Sequence, residues 1–261
     1  MPSKRSQAPV GDIPRGRVCL DVSPKTAPPR VRQPITRSRG LVRGQFPSTK
    51  SGHMVAWESQ LEEKACYLFE FCPAITSFRD QPLKIEYPFG GSIKNYYTDF
   101  ELVLSNGQVC YVEIKPNQKL FHPENFDRFQ NIAKTFAQNR QPFYVLTEQE
   151  LPSKQRQRNL SILRTYLRHA LPKHLIHEVE KWVSATSAPD FEALSNYVCS
   201  RAVALALMAQ QKIALDLELP LSHNTAIFPA KELSHETSLF TCRTGPGFER
   251  RDVSINSYSW R

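Results

Sequence analysis

Long apolar runs are missing from this chain of 261 residues, and with them any segment that could cross a membrane as a helix. The basic N-terminus is not followed by the apolar stretch of a signal peptide, so a cytoplasmic protein is expected. Cysteine occurs six times (Cys19, Cys66, Cys72, Cys110, Cys199 and Cys242) but never as a C-x-x-C pair. That disfavours a zinc site and leaves free, buried thiols in a reducing compartment as the expectation. Acidic residues are scarce in the first fifty positions, where only Asp12 and Asp21 stand against eleven Lys and Arg. This local balance of +9 equals the formal net charge of the whole chain, because the remainder carries 23 basic and 23 acidic side chains. The same stretch holds eight of the twenty prolines and has no apolar periodicity. Residues 1–50 are therefore excluded as an independent core and read as an extended basic arm. Nucleic acid is its natural partner, since each phosphate contact gains from counterion release. A solubilising tail is the blander possibility. Arg37, Arg39, Arg43 and Lys50 are the expected DNA contacts nearest the folded part.

What is present is organised around Tyr96–Pro116, a β-hairpin by its two alternating runs about Ser105-Asn106-Gly107. A two-residue Asn106-Gly107 turn would pair Phe100 with Glu113 and mix charged and apolar residues on one face. A three-residue loop with Gly107 in the left-handed conformation instead pairs Leu104 with Gln108 and Asp99 with Glu113. Phe100, Leu102, Leu104, Cys110, Val112 and Ile114 then share one face. Asp99, Glu101, Val103, Val109, Tyr111, Glu113 and Lys115 share the other. Two carboxylates directly opposite one another repel unless something neutralises them. A divalent cation would do so, and Mg²⁺ suits a site of one or two carboxylates completed by substrate phosphate. With Lys115 on the same face, Asp…Glu-x-Lys is a phosphodiester-cleaving arrangement. The alternative is an exposed hairpin face carrying solvated charge.

The other elements follow from periodicity. Leu61, Ala65, Leu68, Phe69 and Cys72 predict a helix over Met54–Phe71 ended by Pro73, with Glu58 and Glu62 on one flank. Extended segments are expected near Ile75–Phe78 and Leu83–Tyr87, a second helix over Pro123–Arg140, and a strand at Phe143–Thr147. Helix, strands, helix, strand predicts an α/β domain over 51–150, a mixed sheet flanked by helices. Helices over Gln155–Leu171, over Lys173–Ser184 and from Asp190 to about Gln210, then strands at Ile213–Leu219 and Thr225–Phe228, suggest a winged-helix-like unit at 151–230. Residues 231–261 read as a loose polar tail.

The order of elements and the Glu…Asp…Glu-x-Lys set resemble the restriction-endonuclease-like PD-(D/E)-x-K fold. In detail TRSRGLVRGQFPSTK, WESQLE, ITSFRDQP, YYTDFEL and YVEIKP resemble the TnsA family, endonuclease subunits of heteromeric Tn-seven-like transposases, including the CRISPR-associated branch. The motif likeness covers about residues 36–150. It implies Glu62, Asp99 and Glu113 as catalytic metal ligands, Lys115 as the catalytic lysine, and Gln81 of Gln81-Pro82 as a residue that shapes the site. Glu58 rivals Glu62 as the helix carboxylate. Thr98 departs from the proline usual before the aspartate. The resemblance further implies Mg²⁺, replaceable by Mn²⁺, and cleavage of the 5′-side strand of double-stranded DNA at transposon ends during cut-and-paste transposition. It implies a TnsB-like transposase and a TnsC-like AAA+ regulator as partners, with no membrane, and the bacterial cytosol as location. A stand-alone restriction or repair nuclease of the same fold, and a non-catalytic DNA-binding assembly subunit, are the alternatives.

Overall fold

The computed structural model describes residues 17–19, 42–230 and 240–253. At its centre is a six-stranded mixed sheet in the order β13-β12-β9-β8-β7-β4. Its strands are β4 (Ile75–Asp80), β7 (Phe100–Leu104), β8 (Val109–Ile114), β9 (Phe143–Leu146), β12 (Phe240–Thr244) and β13 (Glu249–Val253). β8 and β9 run parallel and every other neighbouring pair runs antiparallel. A three-stranded sheet, β1 (Arg17–Cys19), β5 (Lys84–Phe89) and β6 (Ser92–Tyr97), lies alongside.

The central hairpin has the register its alternation predicts. Phe100 faces Val112, Leu102 faces Cys110, and Val103 faces Val109. Leu104 N–H reaches Gln108 O at 2.8 Å, and Gly107 N–H closes the loop on Leu104 O at 2.8 Å. Gly107 sits at φ +83, a conformation open to glycine at no steric cost. The Phe100, Leu102, Cys110 and Val112 face packs under helix α1 (Gln60–Phe71), where the Phe69 ring lies 5.5 Å from Phe78 and 5.4 Å from Phe100. The Tyr111 face is covered too. Helix α3 (Pro123–Gln138), which follows the single turn α2 (Asn117–Leu120), lays Phe129, Ile132 and Phe136 over Tyr111, Phe143 and Val145. Both faces of the sheet are therefore largely buried. On the second, Glu101 pairs with Arg79 at 2.8 Å, while Asp99, Glu113 and Lys115 gather at the other end of β8.

Three expectations are corrected. The helix over Met54–Phe71 begins later, since Met54–Trp57 is strand β3, paired antiparallel with β2 (Gly44–Pro47). The chain reverses at Glu58, and Ser59 caps α1. The helix over Gln155–Leu171 stops as α4 (Lys154–Arg164), although Leu167 and Leu171 still pack inward. The tail at 231–261 is not loose throughout, because β12 and β13 extend the sheet and Phe248 enters its core.

The C-terminal unit consists of α5 (Lys173–Ala185), α6 (Phe191–Tyr197), α7 (Arg201–Ala209) and an antiparallel ribbon of β10 (Ile213–Leu215) and β11 (Ile227–Pro229). Its core includes Val179, Val183, Phe191, Leu207, Met208 and Ile227. Helix α4 joins the two units, placing Leu160 in the α1 core and Leu163 in the C-terminal core.

Candidate active site

The ladder ends with Phe100 opposite Val112, and just beyond it the Asp99 carboxylate reaches across to Ile114, the neighbour of Glu113. The Asp99 backbone is fixed from outside the hairpin by Gln81 N–H, which donates to its carbonyl at 2.8 Å. Its side chain turns back, Oδ2 accepting Ile114 N–H at 2.8 Å. Glu113 is 2% exposed, yet both of its oxygens are engaged. Lys115 Nζ lies 2.9 Å from Oε1, and the Tyr96 hydroxyl donates to Oε2. The Lys115 ammonium also stands 5.6 Å over the Phe129 ring.

Glu62 approaches from α1. Ser59 and Glu62 form a capping box. Ser59 Oγ accepts Glu62 N–H at 3.2 Å, while the Glu62 carboxylate accepts Ser59 Oγ–H at 2.9 Å and Glu58 N–H at 2.7 Å. Glu58 precedes the helix and does not share a helical flank with Glu62. Its carboxylate accepts Gln81 Nε2 at 3.3 Å. Gln81 is 7% exposed and held at φ +40, a strained conformation for a residue with a side chain. It thus ties the Asp99 backbone to Glu58, and its Oε1 is buried with no hydrogen-bond partner among the described residues.

These groups act on one another electrostatically. Burial pushes the Asp99 carboxyl well above the carboxylate range, and the charges of Glu113 and Glu62 push it further; Ile114 N–H and Lys115 act the other way. Burial likewise raises Glu62, with Glu113 and Glu58 adding to the rise against the capping hydrogen bonds. Glu113 holds the Lys115 ammonium above its usual value despite burial. Carboxylates packed this closely fit a dication as a neutralising partner. Among the described residues, no three His, Cys, Asp or Glu side chains converge as a metal cage. The Asp99 and Glu113 carboxylates are the hard oxygen donors that Mg²⁺ takes when water and phosphate complete its shell.

Of the expected DNA contacts, Arg37 and Arg39 lie outside the described residues. Arg43 is exposed at the start of β2. Lys50 has a different task. Its ammonium donates to the carbonyls of Phe69 and Cys72 and so closes the C-terminal end of α1, and burial lowers it to about 8. Residues 48–50 already belong to the packed domain, where buried Glu70 accepts Ser48 Oγ at 2.7 Å and Thr49 N–H at 2.7 Å.

Two neighbours of the site escaped the sequence reading. Tyr96 on β6 reads as an ordinary core aromatic, and it packs as one, edge-on to Phe129 and Phe143. Arg128 was hidden by the apolar stripe of α3; its guanidinium lies 5.9 Å from the Tyr96 ring and donates to Tyr87 Oη at 3.1 Å. The only signal for Tyr96 was its place on the strand leading into Asp99.

Residues 72–148 fit the family described as TnsA-like endonuclease N terminal. The segment contains Gln81, Asp99, Glu113 and Lys115, while Glu62 lies ahead of it. No curated protein matches the chain.

Proposed function

From a chain that carries a TnsA-like endonuclease domain, we propose a metal-dependent DNA endonuclease subunit of a cut-and-paste transposase, cutting the 5′-side strand at transposon ends. The observation that carries this reading is the Asp99 carboxylate bonded across the hairpin to Ile114 N–H at 2.8 Å, beside Glu113, with Lys115 paired to Glu113 at 2.9 Å inside that domain. Asp99 and Glu113 would hold Mg²⁺, with Glu62 as a nearby third charge. Bound there, the ion would supply a water of lowered pKa and a Lewis acid for the phosphate.

The chain's own groups do the remaining work. The Ile114 N–H fixes the Asp99 carboxylate, while Tyr96 and Lys115 hold Glu113 from its two oxygens. Lys115 carries its charge on the site face, where it orients the attacking water or offsets charge on the scissile phosphate. Gln81, itself at φ +40, holds the Asp99 backbone through its N–H. A TnsB-like transposase would cut and join the 3′ ends. A TnsC-like AAA+ regulator would dock on the winged-helix-like unit at 151–230.

The test is strand-resolved cleavage of transposon-end duplex with Mg²⁺, partner transposase and regulator, comparing wild type with Asp99→Ala. Loss of the 5′-strand cut alone is expected, by a factor of about 10² or more. Identical patterns would make the chain an assembly subunit. Cutting of the 5′ strand without any partner would favour a stand-alone nuclease.

A further inference from the structure

Beyond the N-terminal arm the charge is balanced in total but not in place. Between Leu151 and His177 stand Lys154, Arg156, Arg158, Arg164, Arg168 and Lys173, with no Asp or Glu among them. Helix α4 arranges this segment. Ser153 caps it, Oγ accepting Arg156 N–H at 3.0 Å, and Asn159, Leu160 and Leu163 form its buried side. On the opposite side Lys154, Arg158, Ser161 and Thr165 follow one another at four, three and four residues, all exposed, and exposed Arg168 continues the line in the turn beyond. That spacing is one solvent-facing stripe.

Local stability does not account for the stripe. Lys154 and Arg158 are like charges four apart, which repel. Lys154 also stands in the first turn, at the positive end of the helix dipole. No ion pair engages Lys154, Arg158 or Arg168 among the described residues, whereas Arg156 reaches Glu218 at 3.7 Å.

Helix α4 packs against α1. Burial raises the Cys72 thiol at the C-terminal end of α1, and Arg156 in the first turn of α4 is among the charges pulling it back. At the other end of α4, the Arg164 guanidinium lies 5.4 Å over Phe46, whose ring meets Tyr67 of α1 at 5.0 Å. Both ends of α4 thus meet the C-terminal half of α1, the end away from Glu62.

We propose that the Lys154–Arg158–Ser161–Arg168 stripe is a track for the phosphate backbone of duplex DNA, on a helix that packs against the α1 carrying Glu62. The choice of substrate rests on the nuclease reading; the track does not need cleavage to be seen. Lys, Arg and Ser are the side chains that position proteins on phosphates without reading sequence. From Lys154 to Thr165 the stripe is about 16 Å long, roughly five base-pair steps. Lys154 and Arg158 within that length, Arg168 just beyond it, and no acid in the same stretch of sequence complement a polyanion.

The experiment is fluorescence anisotropy of the full chain on a labelled 30-base-pair duplex in chelator, with affinity followed against salt. The triple variant Lys154→Glu, Arg158→Glu, Arg168→Glu is compared with wild type and with Lys94→Glu, Lys134→Glu, Lys181→Glu, which reverses exposed charges elsewhere. The stripe variant is expected to bind at least tenfold more weakly and to lose about 0.9 of log–log salt slope for each phosphate contact removed. An unchanged slope, or an equal loss in the control triple, overturns the track. The neutral set Lys154→Gln, Arg158→Gln, Arg168→Gln decides the matter if charge reversal perturbs folding, and its slope must also fall. A wild type that binds with the full slope yet never cuts with metal and partners would refute the nuclease reading and leave the track standing.

Discussion

Asp99 is in an uncomfortable place, half-buried with Glu113 beside it and Glu62 approaching from the helix above. Its pKa is raised, so in metal-free protein the folded state binds that proton more tightly than the unfolded chain does. Stability then falls as pH rises from the ordinary carboxylate value through the raised folded one. Asp99→Asn keeps the oxygen that accepts Ile114 N–H and removes the charge. In chelator the variant is expected to melt higher than wild type at pH 8 and to vary less with pH, by about 1.4 kcal/mol for each unit of pKa rise abolished. Parallel Tm–pH curves for the two proteins would show that Asp99 ionisation is not the source of the slope. The Asp99, Glu113 and Lys115 cluster was legible because strand alternation and the Asn-Gly loop leave one register that buries a consistent face. Tyr96 was not legible. A tyrosine on a strand looks the same in sequence whether its hydroxyl meets water or a buried carboxylate.

At the scale of elements, α1 depends on its N-terminal cap, and the cap is also what holds Glu62. Ser59→Ala removes the acceptor for Glu62 N–H and one donor to the Glu62 carboxylate. A loss of about 0.5–2 kcal/mol is expected, read from the urea midpoint, with Ser59→Asn largely restoring it. No loss would mean that α1 is nucleated from its other end, where Lys50 closes the last carbonyls. The start of α1 is written in the Ser59-x-x-Glu62 pattern and in a stripe that begins at Leu61, yet the expected helix runs back to Met54. What decides the strand is tertiary. β3 pairs with β2, and the Trp57 indole lies over Gly44 so closely that a Cβ there would meet its ring at 2.2 Å. No local propensity reports such a contact.

At the scale of the molecule, the sheet is completed by residues far from it in sequence. β12 joins the edge of β9, with Arg243 opposite Val145. The Arg243 guanidinium meets fully buried Glu150 at 3.1 Å and Gln149 Oε1 at 2.6 Å, stitching the strand to the loop before α4. The turn beyond drops Phe248, 1% exposed, against Phe126 of α3, and Gln130 of the same helix donates to Pro246 O at 3.0 Å. Composition could not reveal this, because a short polar strand with one aromatic at its turn has too little periodicity to stand out from a tail. The consequence can be measured. Were residues 240–253 an appended tail, Phe248→Ala would leave stability unchanged. Packed in the second core beside the helix that carries Phe129 under Lys115, the same change is expected to cost about 3–5 kcal/mol in urea unfolding. Phe248→Leu should recover most of it, since filling the volume matters more there than the ring. The loss should also reach the site, because α3 is held on one side by the sheet and on the other by this turn. Amide exchange in α3 should therefore quicken in Phe248→Ala more than in α5, and equal quickening in both helices would place the turn outside the catalytic unit.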